Sequence, residues 1–253
     1  MVVNILENLE VNKVYNKDCI EFMKQLPDEH LDLIFADPPF NLEKDYGVDK
    51  DKRENYYEWC AEWIKEAWRI LKPTGSFYLM TIQDHMCNML IEMKKYGIQQ
   101  NIIVWKNTSM PLKKKYSIAY QPILYFTKSN KYTYHHNADG QITESALPYG
   151  RKPKGFTMKD LWDDIPFIAG GCMASKEAIL YPGTKKKYHK CQMPLRLVNR
   201  IILASSNKDD ICYDMFSGSG TFITKAKELE RNWVATELNN EYINEIILPR
   251  LNI

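Results

Sequence analysis

The stretch Leu31 to Phe40, Leu-Asp-Leu-Ile-Phe-Ala-Asp-Pro-Pro-Phe, constrains this chain more than any other. A short run of Leu, Ile and Phe reads as a buried strand, and it stops at an acid followed by two prolines, which cannot extend a ladder of backbone hydrogen bonds. That places the carboxylate of Asp37 at the C-terminal end of a strand, the edge where ligands bind in an open α/β sheet. Pro38 and Pro39 make the turn rigid and leave local carbonyls to face a ligand, and Phe40 adds an aromatic face.

This grouping suits attack by a nucleobase amino group. The amino nitrogen of adenine is a poor nucleophile because its lone pair is delocalised into the ring. A carboxylate at Asp37 and the carbonyl of Pro38 can each accept one amino hydrogen and free the lone pair, while Phe40 stacks on a base swung out of its duplex. The plainer alternative is a strand followed by a Pro-Pro turn with an incidental Phe.

A second signal lies near the other end of the chain. Asp210 to Tyr213 reads as a short strand, Asp214-Met215-Phe216-Ser217-Gly218-Ser219-Gly220-Thr221 as a glycine-rich turn, and the following residues to Glu230 as a helix. Glycines let backbone approach a ligand, and a helix N-terminus presents free amides. Asn232 to Leu238 is the next strand and carries Glu237, about twenty residues past the glycines, where an acid can grip both ribose hydroxyls. No Gly-Lys-Ser/Thr follows, so this is no phosphate cradle of the Walker kind, and Ile223 breaks the full dinucleotide pattern. A cofactor with a nucleoside and no phosphates fits, and S-adenosylmethionine is the obvious one.

Elsewhere along the chain, strands are expected at Val11 to Tyr15, Ser76 to Met80 and Ile98 to Trp105. Helices are expected at Cys19 to Leu26, Tyr56 to Leu71, with Tyr57, Ala61, Ile64, Ala67 and Trp68 on its apolar face, and Asp84 to Tyr96. Asp18 can cap the first helix, and Asn41 to Asn55 reads as a mobile loop beside the site. The alternation predicts a mostly parallel sheet with helices on both faces. After Lys106 the pattern weakens. Residues 107–190 hold one clear strand, Pro122 to Lys128, and are read as a functional insertion between a catalytic half, 1–106, and a cofactor-binding half, 191–253. A helix at Pro194 to Ser205 opens that second half.

The chain has 253 residues, 45% hydrophobic and 26% charged, which is ordinary for a globular protein, and a net charge of +2 that by itself announces no nucleic-acid partner. The placement of charge says more: Lys113-Lys114-Lys115, Arg151 to Lys154 and Lys185-Lys186-Lys187 all fall within the insertion, among tyrosines. The six cysteines form no Cys-x-x-Cys pair, so neither a metal site nor a disulfide framework is expected, and a reducing cytoplasm without membrane attachment fits. Trp63, Trp68, Trp105, Trp162 and Trp233 are read as core.

The pairing of Asp37-Pro38-Pro39-Phe40 with Asp214 to Thr221 resembles the DNA amino-methyltransferases, and the order, catalytic motif first, is that of their β group. Trp63 to Leu79 and Gln121 to Lys128 carry the resemblance further. It implies an α/β, Rossmann-like S-adenosylmethionine-dependent methyltransferase fold with permuted motif order. Asp37, Pro38, Pro39 and Phe40 then form the catalytic turn. Asp18 and Cys19 take the cofactor's adenine, and Asp37 borders it as well. Asp214, Phe216, Ser217, Gly218, Ser219, Gly220 and Thr221 wrap the cofactor, and Glu237 holds its ribose. Where the family typically reads His-Pro-Thr-Gln-Lys-Pro, this chain reads His189-Lys190-Cys191-Gln192-Met193-Pro194, so His189 and Gln192 are further cofactor candidates while Met193 departs from the pattern. An acid at the first catalytic position goes with adenine N6 in this family, a serine with cytosine N4. Lys113, Lys114, Lys115 and Arg151 become candidates for contacts to double-stranded DNA. A homodimer, and a cognate restriction endonuclease acting separately, are the partners implied. Cytosine N4 or RNA methylation, or a catalytically idle DNA-binding subunit of the same fold, are the alternatives.

Overall fold

The computed structural model describes residues 9–44, 51–106, 114, 116–136, 158–168, 176–181, 183–186, 188–189 and 191–253. Among these residues eight strands form one sheet: β1 (Lys13–Tyr15), β2 (Leu31–Ala36), β3 (Leu71–Met80), β4 (Ile98–Lys106), β5 (Tyr120–Thr127), β6 (Leu161–Trp162), β7 (Ile211–Asp214) and β8 (Asn232–Thr236). Their order is β1-β8-β7-β2-β3-β5-β4-β6. Neighbours run parallel except β5, which is antiparallel to both β3 and β4. The expected α/β architecture is present, with β5 as the one reversed strand.

Both faces of the sheet are covered, which is why β2 is buried at every position but Asp32 and shows no polar alternation. Helices α1 (Cys19–Met23), α2 (Tyr56–Ile70) and α3 (Gln83–Met93) pack on Ile34, Phe77, Leu124 and Tyr213. On the other face, α4 (Leu195–Ser205) and α5 (Thr221–Glu228) pack on Leu33, Phe35, Tyr78 and Cys212. The chain ends in α6 (Asn240–Tyr242), a π turn at Ile243–Ile247 and α7 (Leu248–Leu251), helical structure the sequence reading did not anticipate. The five tryptophans read as core are all buried.

Two expectations need correction. The apolar face of α2 begins one residue earlier than expected: Tyr56, Cys60, Trp63, Ile64, Ala67, Trp68 and Ile70 are buried, whereas Tyr57 is 41% exposed. Helical spacing alone does not fix the phase when tyrosines stand side by side, and Tyr57 turns outward to bond His85. The other concerns Leu71, expected as the last residue of that helix and five residues before the next strand, which instead opens β3 irregularly: pairing jumps from Leu31↔Leu71 to Leu33↔Ser76. A Cβ at Gly75 would lie 2.5 Å from the Leu71 side chain and 3.0 Å from the Asp32 carbonyl, so a larger residue there would force Leu71 to shift.

The register Phe35↔Asp214 sets the ends of β2 and β7 side by side. From β2 the chain winds one way to β3 and from β7 the other way to β8, and ligands bind at such a reversal. Residues 107–190 contribute β5 and β6 to this same sheet. Among the described residues, Cys19, Cys60, Cys87, Cys191 and Cys212 form no disulfide, and no helix is long and apolar enough to cross a membrane.

Candidate active site

At the reversal lies a cleft with roughly 1080 Å³ of empty space, part of it open to solvent. Its walls bring together residues more than 200 positions apart: Asp18, Cys19, Asp37, Pro38, Pro39, Phe40, His189, Phe216, Ser217, Gly218, Ser219 and Glu237. Asp214, Gly220 and Thr221 lie behind the wall. Asp214 is fully buried, and Thr221 Oγ1 is tied to Ser219 Oγ at 3.0 Å. Gln192 does not join the cleft. Its amide oxygen accepts from Ile179 N at 2.9 Å and its amide nitrogen donates to Glu177 O at 2.6 Å, so it braces the 177–179 segment instead. Lys114 is exposed, while Lys113, Lys115 and Arg151 lie outside the described residues.

The turn after β2 is held from outside. Tyr56 Oη donates to Pro39 O at 3.0 Å, and His85 Nε2 donates to Phe40 O at 3.0 Å while its Nδ1 accepts from Tyr57 Oη. The Pro38 carbonyl has no such tie among the described residues, and neither does Asp37 Oδ1, a buried oxygen without a hydrogen-bond partner there. Burial pushes the Asp37 carboxyl up to about 7, with the Lys44 ammonium pulling the other way.

The glycine turn is shaped by φ. Gly218 and Gly220 adopt φ of 51° and 69°, the left-handed region. Gly218 N donates to Glu237 Oε2 at 2.7 Å, and Asn239 N donates to Glu237 Oε1 at 2.8 Å, which fixes the acid under the turn. His189 backs Gly218 so closely that a Cβ there would lie 2.9 Å from its Nε2, and its ring packs edge-on against Tyr242. At the other end, Asp18 Oδ1 caps α1 through Ile20 N and Glu21 N, as the sequence allowed, and the residue also lines the cleft.

Acids crowd this space. Burial raises Asp214 well above the usual carboxylate range, Asp37 and Glu237 push the same way, and the Phe216 amide pulls against them. Burial likewise raises Glu237 against its backbone donors. Asp214 Oδ2 and Ser217 Oγ are buried without partners among the described residues. Carboxylates at several points along a cleft walled by aromatic rings suit a nucleoside that carries positive charge.

Sequence reasoning passed over Lys17, Asp51, Arg53, Trp59 and Tyr242, which also line the cleft. Arg53 lies over the Trp59 ring at 4.7 Å, and Trp59 meets Phe216 edge-on at 5.8 Å. The loop expected to be mobile is pinned at its described ends: Asp51 accepts from Leu42 N and Lys44 N, and Asn41 accepts from Arg53 N.

The sequence pattern of the DNA methylase family, N6/N4 type, matches residues 31–248, from the organising strand to the C-terminal helices. The chain belongs to the N6/N4 DNA methylase family. This methylase is 34% identical to the Type II methyltransferase M.BamHI of Bacillus amyloliquefaciens, over 96% of its own length and 57% of that protein's. It is 32% identical to the DNA adenine methyltransferase YhdJ of Escherichia coli, over 96% of its length and 84% of the relative's. Among solved structures, the M1.HpyAVI complex with S-adenosylmethionine (SAM) superposes with a TM-score of 0.65 at 22% identity, over 95% of the methylase and 99% of that chain. The cytosine-N4-specific PvuII methyltransferase gives 0.68 at 20%, over 94% and 90%. The two structures support the fold.

Proposed function

We propose that this methylase transfers a methyl group from S-adenosylmethionine to the N6 amino group of adenine in double-stranded DNA. The observation that carries the reading is the Asp37 carboxylate, with one buried oxygen left without a hydrogen-bond partner among the described residues, in the same cleft as the glycine turn and Glu237. The acid at position 37 and the likeness to YhdJ, named as an adenine methyltransferase, favour adenine over cytosine.

Glu237, the 216–219 backbone, Asp18 and Cys19 would hold the cofactor, and the acids around it suit its positive charge. When bound, S-adenosylmethionine supplies an electrophilic methyl on a sulfonium sulfur. Asp37 and the Pro38 carbonyl accept the two amino hydrogens and orient the nitrogen lone pair, and Phe40 stacks on the flipped base. His85 and Tyr56 keep that turn in place. Residues 107–190 supply sequence recognition and phosphate contacts, with Lys113, Lys114, Lys115 and Arg151 as candidates. A homodimer in the cytoplasm, and a separately acting endonuclease of the same site, complete the reading; light scattering tests the dimer.

Supplying labelled SAM to the protein with unmethylated duplex DNA or with RNA tests the function. Label on DNA supports it, and label on RNA alone overturns it. Because an ionised Asp37 is the stronger acceptor and a protonated one turns an oxygen into a donor, kcat/KM is expected to fall as the pH drops through about 7 and to level off above it. A pH profile without that acid limb would contradict the role. Cofactor binding also changes the surroundings of Trp59, which lines the cleft while Trp63 and Trp233 are buried. Addition of S-adenosylhomocysteine is therefore expected to change intrinsic fluorescence, and Trp59→Phe to remove most of that change.

A further inference from the structure

The acids that crowd the cleft suit only part of the cofactor. Asp18, Asp37, Asp51 and Glu237 along its walls favour the sulfonium and the ammonium of SAM, whereas they repel the carboxylate of its methionine tail, which needs a cation. Lys17 and Arg53 are the permanent cations among the described residues that line the cleft. Lys17 is exposed, adjoins Asp18 at the end read as taking the adenine, and is tied to Gln25 Oε1 at 3.0 Å.

Arg53 is placed differently. Its backbone N donates to Asn41 Oδ1 at 2.6 Å, which ties it to the residue after Phe40, and its guanidinium lies over the Trp59 ring at 4.7 Å. Its Nε is buried without a hydrogen-bond partner among the described residues. An orphaned buried donor at a binding cleft calls for a partner that binding brings.

The shape of the sulfonium says which part of the cofactor that partner is. Three arms diverge from one pyramidal sulfur: the methyl faces the turn at Asp37, the ribose goes to Glu237, and the methionine tail takes the wall that remains. Of the side chains left, His189, Cys191 and Met193 carry no permanent charge, and the Asp51 carboxylate is engaged by Leu42 N and Lys44 N. Arg53 carries one beside the turn, and stacking on Trp59 leaves the edge of its guanidinium, where the donors lie, free to grip a carboxylate with two parallel bonds.

We propose that Arg53 holds the carboxylate of the SAM methionine tail. This rests on the reading of the cleft as the cofactor site. Sequence alone hides the role, because an arginine between Lys52 and Glu54 looks like solvated surface.

The test is calorimetric titration of wild type, Arg53→Met and Arg53→Lys with S-adenosylhomocysteine and with decarboxylated S-adenosylhomocysteine, which keeps the amine and lacks the acid. Wild type is expected to bind the intact ligand on the order of 30-fold more tightly, as one charge-assisted pair allows. Arg53→Met, which keeps an apolar stem on Trp59, is expected to lose that preference by weakening the intact ligand alone, and Arg53→Lys to keep part of it. Equal affinities in wild type overturn the proposal without need of any variant, and so does a preference that survives in Arg53→Met. A loss in Arg53→Met that is the same for both ligands also overturns it and makes Arg53 a prop for Trp59. Intact affinities with a rise in KM for DNA that grows with salt overturn it in favour of a phosphate contact. If wild type binds neither ligand, the parent reading of the cleft falls and the role of Arg53 with it.

Discussion

Asp37→Ala lowers the rate of methyl transfer by on the order of a thousandfold and leaves cofactor affinity within a few-fold of wild type, the expected size for removing one well-placed group from a reaction that depends on positioning. Asp37 follows β2 and brings a buried oxygen without a hydrogen-bond partner to the cleft, whereas Glu237, Asp18 and the 216–219 backbone are the groups proposed to hold the cofactor. Asp37→Asn keeps the shape but replaces an acceptor by donors, and it should be nearly as damaged. Calorimetric titration with S-adenosylhomocysteine separates the two steps. A variant that loses binding and transfer together would place Asp37 in the cofactor site, and one that loses neither would remove it from the mechanism.

The converse pattern is expected of Gly218→Val. Position 218 has φ of 51°, which a β-branched residue resists, and a Cβ there would come within 2.9 Å of His189 Nε2. Either the turn or the His189 segment must move, and the Gly218 amide leaves Glu237 in the first case. Cofactor affinity is expected to fall on the order of 100-fold, with the sheet intact because the turn lies at its edge. Unchanged affinity in the same titration would mean that the turn does not touch the cofactor. Paired with Asp37→Ala, the variant divides the cleft into a binding end and a reacting end.

How much of this could be read beforehand depended on how local the signal was. The strand that ends at Asp37 announces itself through a continuous apolar run and two prolines, and the turn at Gly218 through glycines between a strand and a helix. Both were legible, as was the alternation that builds the sheet. The reversed β5 was not, because strand direction follows from a partner chosen across the sheet, and a buried strand reads alike either way round. Likewise, α2 was placed correctly but turned by one residue, since adjacent tyrosines at its start satisfy two phases. Gln192 matches a family pattern that implies cofactor contact, yet its amide is spent on Ile179 and Glu177, a direction that spacing cannot reveal. Arg53 and Trp59 were missed for a related reason. They reach the cleft from an irregular polar loop and the helix after it, where no period marks which side chains turn inward.

The central claim, that the amino group methylated is N6 of adenine in DNA, is tested most directly by the product. Unmethylated duplex DNA is incubated with the protein and SAM, digested to nucleosides and analysed by mass spectrometry. The account predicts N6-methyldeoxyadenosine, present with wild type and absent with Asp37→Ala. N4-methyldeoxycytidine in its place, or no modified nucleoside from a protein that still binds the cofactor, would contradict it.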